Sequence, residues 1–208
     1  MVPDFFPQKD DLFVLLGTSN KIADAENERR LEQIEKPVFE YEAIVTDKFD
    51  EKMFPTKRAL VLKVGAQVMM LKNEAGKWHN GSLATVTSLK DDQIKVRCAG
   101  EEVKMERNTW ESVEYEYNKE EKKIEPIIKG TFSQYPIRLA WAITIHKSQG
   151  KTYDQVVIDM GNGAFAHGQT YVALSRCRTL EGIILKKDLQ FTDLIVDRKV
   201  KNFMNQYS

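Results

Sequence analysis

The sequence predicts an α/β fold in which a parallel-sheet domain is interrupted in mid-chain by a small β-barrel insertion. Three observations carry this reading. Near both ends, short apolar runs alternate with helical segments: LFVLL before KIADAENERRLEQIE, then QVVIDM, GQTYVALSRCR and GIILKK in turn. Strands alternating with helices build a parallel sheet. Between about Leu60 and Phe132 the texture changes to closely spaced β-rich runs separated by turn residues. With 208 residues, the chain is long enough for one large domain or two small ones, each with a real core. The expected division is 1–59 and 133–208 for the two parts of the α/β domain, with 60–132 as the insertion.

The elements follow in order. Leu12 to Leu16 is a short apolar run stopped by Gly17, the pattern of a buried strand. Ser19 or Asn20 is a natural N-cap for the segment after it. Ile22, Ala25, Leu31 and Ile34 form its loose apolar face, Glu26–Arg30 and Glu32–Lys36 are favourable i,i+4 pairs, and Pro37 stops it. The runs ALVLKV, QVMML, LATVTSL, QIKVRC, EEVKM and SVEYEY then read as strands, with a hairpin signal at Asn80-Gly81. So many short strands in so little chain predict a small barrel of the SH3 or OB kind. LAWAITIHKSQG is apolar on most sides up to His146, which predicts a buried helix with Gly150 just past its end. TDLIVDRKVKNFMNQ predicts a terminal amphipathic helix. Trp110 and Trp141 are expected in the core.

Composition narrows the function classes. There are 31 basic and 31 acidic residues, so no global field draws the chain onto nucleic acid and any such binding needs a local patch. Glu101 to Glu125 holds nine acids against five bases, whereas Gln134 to Lys187 holds seven bases against three acids. Solvated faces of mixed sign would look the same. No apolar run reaches membrane-spanning length, and MVPDFFPQKDD lacks the pattern of a secretory signal. Cys98 and Cys177 are far apart and without CxxC spacing, which excludes a disulfide framework and a cysteine zinc site and makes a cytoplasmic location the expectation. The histidines, at 79, 146 and 167, are scattered, so no metal site is expected and no Ser–His–Asp arrangement is supported.

Gly150-Lys151-Thr152 imitates the end of a phosphate-binding loop, but the first glycine of GxxxxGK[ST] would fall on Ile145. A phosphate loop must also follow a strand and open a helix, and here the order is expected to be the reverse. The chain alone therefore has no standard nucleotide cradle.

AWAITIHKSQGKTYDQVVID (Ala140 to Asp159) and GQTYVALSRCRTLEGIIL (Gly168 to Leu185) resemble motifs V and VI of superfamily 1B helicases, most closely the petite integration frequency (PIF) helicases related to RecD. LGTSNKIADAENERRL resembles motif IV, and LKVGAQVMMLKN with WHNGSLATV resembles the SH3-like insertion called 2B. The resemblance runs from about Asp11 to Phe203. It implies a RecA-like lobe, 2A, split by 2B. It is confined to the C-terminal half of such enzymes, since nothing here matches Walker A or Walker B. A truncated or naturally split helicase is the expectation, inactive alone. Lys151 is a smaller departure, because relatives usually carry an apolar residue after SQG.

The resemblance implies roles residue by residue. Arg176 would be an arginine finger toward the γ-phosphate of ATP, bound with Mg2+ mainly by an N-terminal RecA-like lobe of the same polypeptide. As a plain helix-end arginine it would instead serve the macrodipole. Gln149 and Gly150 would border the nucleotide cleft, or mark an ordinary helix stop. Lys151 would touch a phosphate or remain solvated. Thr144, His146, Lys147 and Ser148 combine short donors that position a nucleic-acid backbone without reading sequence; a structural role for His146 is the alternative. Thr18 and Asn20 are candidate phosphate contacts or helix caps. Asn73, His79 and Asn80, with Trp78, would guide single-stranded DNA on the barrel, or simply make the hairpin. The function implied is the C-terminal lobe of an ATP-dependent 5′→3′ DNA helicase with single-stranded DNA as partner. A stand-alone nucleic-acid-binding module and the helicase half of a conjugative relaxase are the alternatives.

Overall fold

The computed structural model describes residues 12–119 and 121–206. In chain order its first elements are β1 (Val14–Gly17), α1 (Asn20–Glu32), β2 (Val38–Glu42), β3 (Ile44–Asp47), β4 (Ala59–Lys63), β5 (Gln67–Met70), β6 (Leu83–Lys90) and β7 (Gln93–Cys98). There follow β8 (Glu101–Met105), β9 (Asn108–Asn118), β10 (Lys123–Gln134), β11 (Ile137–Leu139), β12 (Ala142–Thr144), β13 (Val156–Asp159), α2 (Gln169–Leu174), β14 (Ile183–Leu185) and α3 (Arg198–Gln206). Short 3-10 turns occupy Glu51–Met53, His146–Ser148 and Phe191–Asp193. The chain divides into two compact units, one made of residues up to Gln33 and from Ala140 on, the other of Ile34–Leu139. The second unit thus begins before and ends after the strand-rich stretch 60–132. No helix among the described residues is long and apolar enough to cross a membrane.

The first unit is built on a four-stranded sheet in the order β12-β1-β13-β14, parallel throughout. Parallel strands covered on both faces read as continuous apolar runs, and every residue of β1 is buried. Leu15, Ala23 and Ala142 form a core cluster with Ile22 and Val157 packed on it. α1 is capped by Ser19, whose hydroxyl accepts from the Ile22 N–H. It buries Ala23, Asn27 and Leu31 with Ile22 packed on the core beside them, so of the expected face Ala25 is exposed and Ala23 and Asn27 take the buried places. Glu26 receives both Arg29 and Arg30 at 2.7 and 2.9 Å. Burial alone raises the Glu26 carboxyl, but the two guanidinium groups hold it below its ordinary value.

Three expectations are corrected in this unit. Ala140–Gly150 is not a buried helix but the strand β12 followed by a 3-10 turn at His146–Ser148. A short apolar run has no periodicity that separates strand from helix, and β-branched Ile143, Thr144 and Ile145 favour the strand. α2 covers only Gln169–Leu174 and ends before Arg176. The terminal helix α3 starts at Arg198, after a separate turn at Phe191–Asp193.

In the second unit all six anticipated strands form, and β2, β3, β10 and β11 join them. They make three antiparallel sheets: β11-β5-β6-β7-β8, β3-β10-β9 and β2-β4. No closed barrel is found among the described strands. β4 pairs instead with β2, and β10 lies between β3 and β9. The core holds Leu62, Val68, Met69, Met70, Ile94 and Ile137, none of them exposed. Phe54 stacks on the buried Phe132 with ring centroids 4.5 Å apart, and half-buried Trp110 lies 5.9 Å from the same ring. Trp141, in the first unit, is buried. The fully buried Gln134 amide is satisfied: Nε2 donates to the Tyr41 and Arg58 carbonyls, and Oε1 accepts from the Tyr135 N–H.

Candidate functional site

The carboxyl ends of β1, β12 and β13 lie side by side, because Gly17 pairs with both Thr144 and Asp159. Ligands of open parallel sheets sit beyond such strand ends. Thr18 and Asn20 follow β1, and Thr144 to Lys151 close and follow β12. Residues more than a hundred positions apart in the sequence thus share one edge of the first unit.

Ser19 takes the capping role, which leaves the Asn20 carboxamide to accept from Lys147 Nζ at 3.3 Å. Thr18 is buried, and its carbonyl accepts from Gln169 Nε2 at 3.4 Å. The Thr144 hydroxyl accepts from the Lys147 N–H and holds the start of the 3-10 turn. Ser148 is fully buried, and its hydroxyl donates to the Ile145 carbonyl at 2.6 Å. Ser148 therefore shapes the turn from within, whereas His146, Lys147 and Gln149 are exposed along it. Gly150 has φ +76°, with nothing within 4 Å of the place a Cβ would take. The requirement for glycine is conformational and not a matter of space. The Lys151 N–H donates back to the Ser148 carbonyl at 3.0 Å.

Arg176 lies just beyond the end of α2 and does not project freely. Its Nε donates to the Val172 carbonyl at 2.9 Å, the bond of a helix-end arginine. Nη1 donates to the Lys151 carbonyl at 2.9 Å and the Ser148 carbonyl at 3.5 Å, and Nη2 donates to Ser175 Oγ at 2.9 Å. One planar fork thereby ties the end of α2 to the 148–151 loop. Arg178 instead lies on the surface, 3.4 Å from Asp154.

Asn73, His79 and Asn80 belong to the second unit and are exposed. Asn73 Oδ1 accepts from the Asn80 N–H at 2.7 Å, and Ser82 Oγ accepts from the His79 N–H, so both contacts build the turn. A cavity of about 270 Å³ beside them is lined by Lys72, Asn73, Lys77, Trp78, Lys104 and Arg107, among others. Lys77 sits 5.8 Å from the Trp78 ring centroid.

Two acids of the first unit escaped the sequence reading. Asp159 ends β13, is buried, pairs with Lys186 Nζ at 2.7 Å and accepts from the Gly161 N–H at 2.8 Å. Burial pulls its carboxyl up, but Lys186 and the Gly161 amide hold it below the usual aspartate value. Its signal was an acid inside the apolar run QVVIDM. Asp193 is buried, and its carboxylate accepts from the Ala164 and Gln190 N–H groups while its carbonyl accepts from the Thr170 hydroxyl. It ties three segments together, and nothing local in the sequence marks it. No group of three His, Cys, Asp or Glu side chains converges as a metal site among the described residues.

Residues 47–89 match the family described as DNA helicase Pif1, 2B domain, and residues 139–183 match the UvrD-like helicase C-terminal domain. The ATP-dependent DNA helicase Pif1 of Bdellovibrio bacteriovorus is 36% identical over 188 residues, which cover 87% of this chain and 40% of that protein. The structure of unliganded Pif1 from Bacteroides sp superposes with a TM-score of 0.84 at 38% identity, covering 96% of this chain and 46% of that one. The Bacteroides Pif1 complex with ADP-AlF3 and single-stranded DNA matches with a TM-score of 0.75 at 38% identity, covering 95% of this chain and 46% of that one. The chain thus spans less than half the length of these relatives.

Proposed function

We propose that this chain, which in sequence and fold matches the C-terminal part of Pif1-type helicases, is the C-terminal motor lobe of an ATP-dependent 5′→3′ DNA helicase. On this reading the parallel-sheet unit is a RecA-like lobe, and Ile34–Leu139 contains an SH3-like insertion. The phosphate loop and the Mg2+ ligands belong to an N-terminal lobe, the partner of this one. The partial coverage of the relatives leaves room for such a lobe.

The observation that carries the reading is the fork of Arg176 across the Lys151 and Ser148 carbonyls. It joins α2 to the loop that continues back through Ser148 into the exposed His146–Lys147 turn. ATP bound by the N-terminal lobe supplies the γ-phosphate whose transfer drives the cycle. Arg176 is suited to meet that charge because a planar guanidinium can give two parallel hydrogen bonds to phosphate oxygens. Ser175 is exposed, so the Nη2 bond to it is the one that yields most easily. Movement of Arg176 would pass through Ser148 to the turn carrying His146 and Lys147, with Thr144 and Asn20 holding that turn. Gln149, Gly150 and Lys151 would line the nucleotide side. His146, Lys147 and Asn20, with Thr18 behind them, would meet the backbone of single-stranded DNA, and Asn73, His79 and Asn80 would make contacts of their own with it on the second unit. Ser148 acts as a positioning residue here, since its hydroxyl is buried.

The test uses a protein that includes the N-terminal lobe. Arg176→Ala should lower ATP turnover on the order of 10³-fold while nucleotide affinity changes little. Arg178→Ala, on the surface, should keep most of the activity. Near-parental turnover in Arg176→Ala, or a dead Arg178→Ala, would remove Arg176 from the proposed role.

A further inference from the structure

The β9–β10 hairpin carries surface that neither its own unit nor the proposed motor role uses. β3 pairs with β10 only at Gly130–Ser133, and a bulge lies between Ile128 and Gly130. Beyond that bulge Val113–Asn118 and Lys123–Ile128 run on as a two-stranded ribbon. One face of the ribbon presents three apolar cross-strand pairs: Val113 with Ile128, Tyr115 with Pro126, and Tyr117 with Ile124. Tyr115 is 73% exposed and Ile124 68% exposed. Two-stranded ribbons are marginal in water by themselves, and contiguous exposed apolar surface marks a place of association.

On β9 the opposite face carries the acids Glu114 and Glu116, with Ile127 and Glu125 of β10 across from them. Glu114 and Glu116 both reach one ammonium, Lys129, at 3.7 and 2.6 Å, which leaves a carboxylate uncompensated. Glu125, across from Glu116, takes Lys123 at 3.0 Å. The outer edge of β9 has no strand beside it among the described residues. Side chains alternate across a strand, so a strand added there would meet Val113, Tyr115 and Tyr117 on one face and Glu114 and Glu116 on the other. Cross-strand neighbours of opposite charge stabilise a pair, and like charges directly opposite destabilise it. A second copy of β9 would bring Glu114 and Glu116 against the same acids. A strand in which basic and apolar residues alternate meets complementary neighbours on both faces.

We propose that the outer edge of β9 is a docking site for an extended segment of a partner protein with alternating basic and apolar residues, added as a third strand of the ribbon. The backbone ladder supplies affinity, and the alternation supplies selectivity.

The test uses the 208-residue chain and two fluorescein-labelled decapeptides, one alternating Lys and Val, the other alternating Glu and Val. Anisotropy titration should show the Lys–Val peptide binding at least about tenfold more tightly than the Glu–Val peptide. Hydrogen exchange should slow in residues 111–118 when the Lys–Val peptide is bound. The double variant Glu114→Lys/Glu116→Lys, whose substituted side chains are exposed, should reverse the order of the two peptides. Tyr117→Ser, which leaves every charge in place, should weaken binding of the Lys–Val peptide. Equal affinity for the two peptides, an unchanged order in the double variant, or protection elsewhere than β9 would overturn the proposal. So would concentration-dependent self-association that protects β9, which would make a second copy the occupant. Displacement of the peptide by a single-stranded DNA oligonucleotide would likewise overturn it.

Discussion

Asn27 and Ala142 are joined twice. The Asn27 carboxamide donates through Nδ2 to the Ala142 carbonyl at 2.8 Å and accepts through Oδ1 from the Ala142 N–H at 2.9 Å. β12 is the edge of the parallel sheet, and at Ala142 a side chain from α1 does what a neighbouring strand's backbone would do. An asparagine in a helix interior costs helix propensity, so its place there reflects this contact.

Asn27→Ala should therefore destabilise the first unit by about 2–6 kcal/mol, because two buried backbone groups lose their partner at about 1–3 kcal/mol each. Asn27→Asp should also destabilise it, since a carboxylate accepts from the Ala142 N–H but cannot donate to its carbonyl. Urea unfolding of both variants checks this. A change below about 0.5 kcal/mol for Asn27→Ala would mean that the contact contributes nothing net.

The two arginines after α2 should separate by stability as well as by activity. Arg178→Ala removes an exposed pair with Asp154 and should shift stability by less than about 0.5 kcal/mol. Arg176→Ala loses a helix-end bond and the tie to Lys151, and should cost about 1–2 kcal/mol while leaving the chain folded. Thermal melts of the 208-residue chain measure both. Equal losses in the two variants would contradict the geometry.

Acid should act through Asp159. Its folded value lies below the unfolded one, so the Lys186 pair stabilises fully above about pH 4 and the contribution disappears as pH falls through the depressed folded value. Asp159→Asn should be less stable than the parent at pH 7, and its stability should fall less steeply below pH 4. Urea midpoints at pH 7, 4 and 3 test it. Parallel acid limbs for the two proteins would show that another carboxylate governs.

Two glycines should respond differently to a methyl group. At Gly130 a Cβ would lie 2.7 Å from Lys48 C and Thr46 O and 2.8 Å from Phe49 N, all backbone atoms that cannot rotate away. Gly130→Ala should cost about 3 kcal/mol, at the upper end for overpacking. Gly150→Ala meets open space and only the left-handed φ, so about 1 kcal/mol is expected. A larger loss at Gly150 than at Gly130 in denaturant titrations would reverse this account.

Elements whose cause is local were legible in the sequence, and those whose cause is distant were not. β1 shows as an unbroken apolar run because it is buried on both faces, and β4 through β9 show as short β-rich runs between turn residues, with buried and half-buried positions alternating in β4, β6 and β7. β12 was hidden, because an apolar run of its length has no period and its strand state comes from pairing with β1. The pairing of β3 with β10 was hidden for a related reason. Thr46 and Thr131, hydrogen-bonded at 2.7 Å, are 85 positions apart, and no spacing rule reaches so far. At the site, the segments around Asn20 and Lys147 could be named from motifs, but their meeting depends on β1 and β12 being neighbours. Arg176 could be singled out, yet its fork onto Lys151 could not. Asn27 did leave a trace, a polar residue on the stripe of Ala23 and Leu31, which the choice of Ala25 as a face residue concealed.

The interrupted layout of the parallel sheet constrains the order in which the chain can fold. β1 gains its neighbours β12 and β13 only after α1 and the whole of Ile34–Leu139 have been synthesised. Contacts of such separation are slow to form, because loop-closure entropy is lost before pairing returns anything. Ile34–Leu139 is continuous and can fold as it leaves the ribosome, which domains generally do as units. Once folded, it replaces a long flexible loop with a fixed connection and shortens the search of β1 for β12. A lesion such as Gly130→Ala, placed wholly in the inserted unit, would then slow assembly of a sheet to which it contributes no residue.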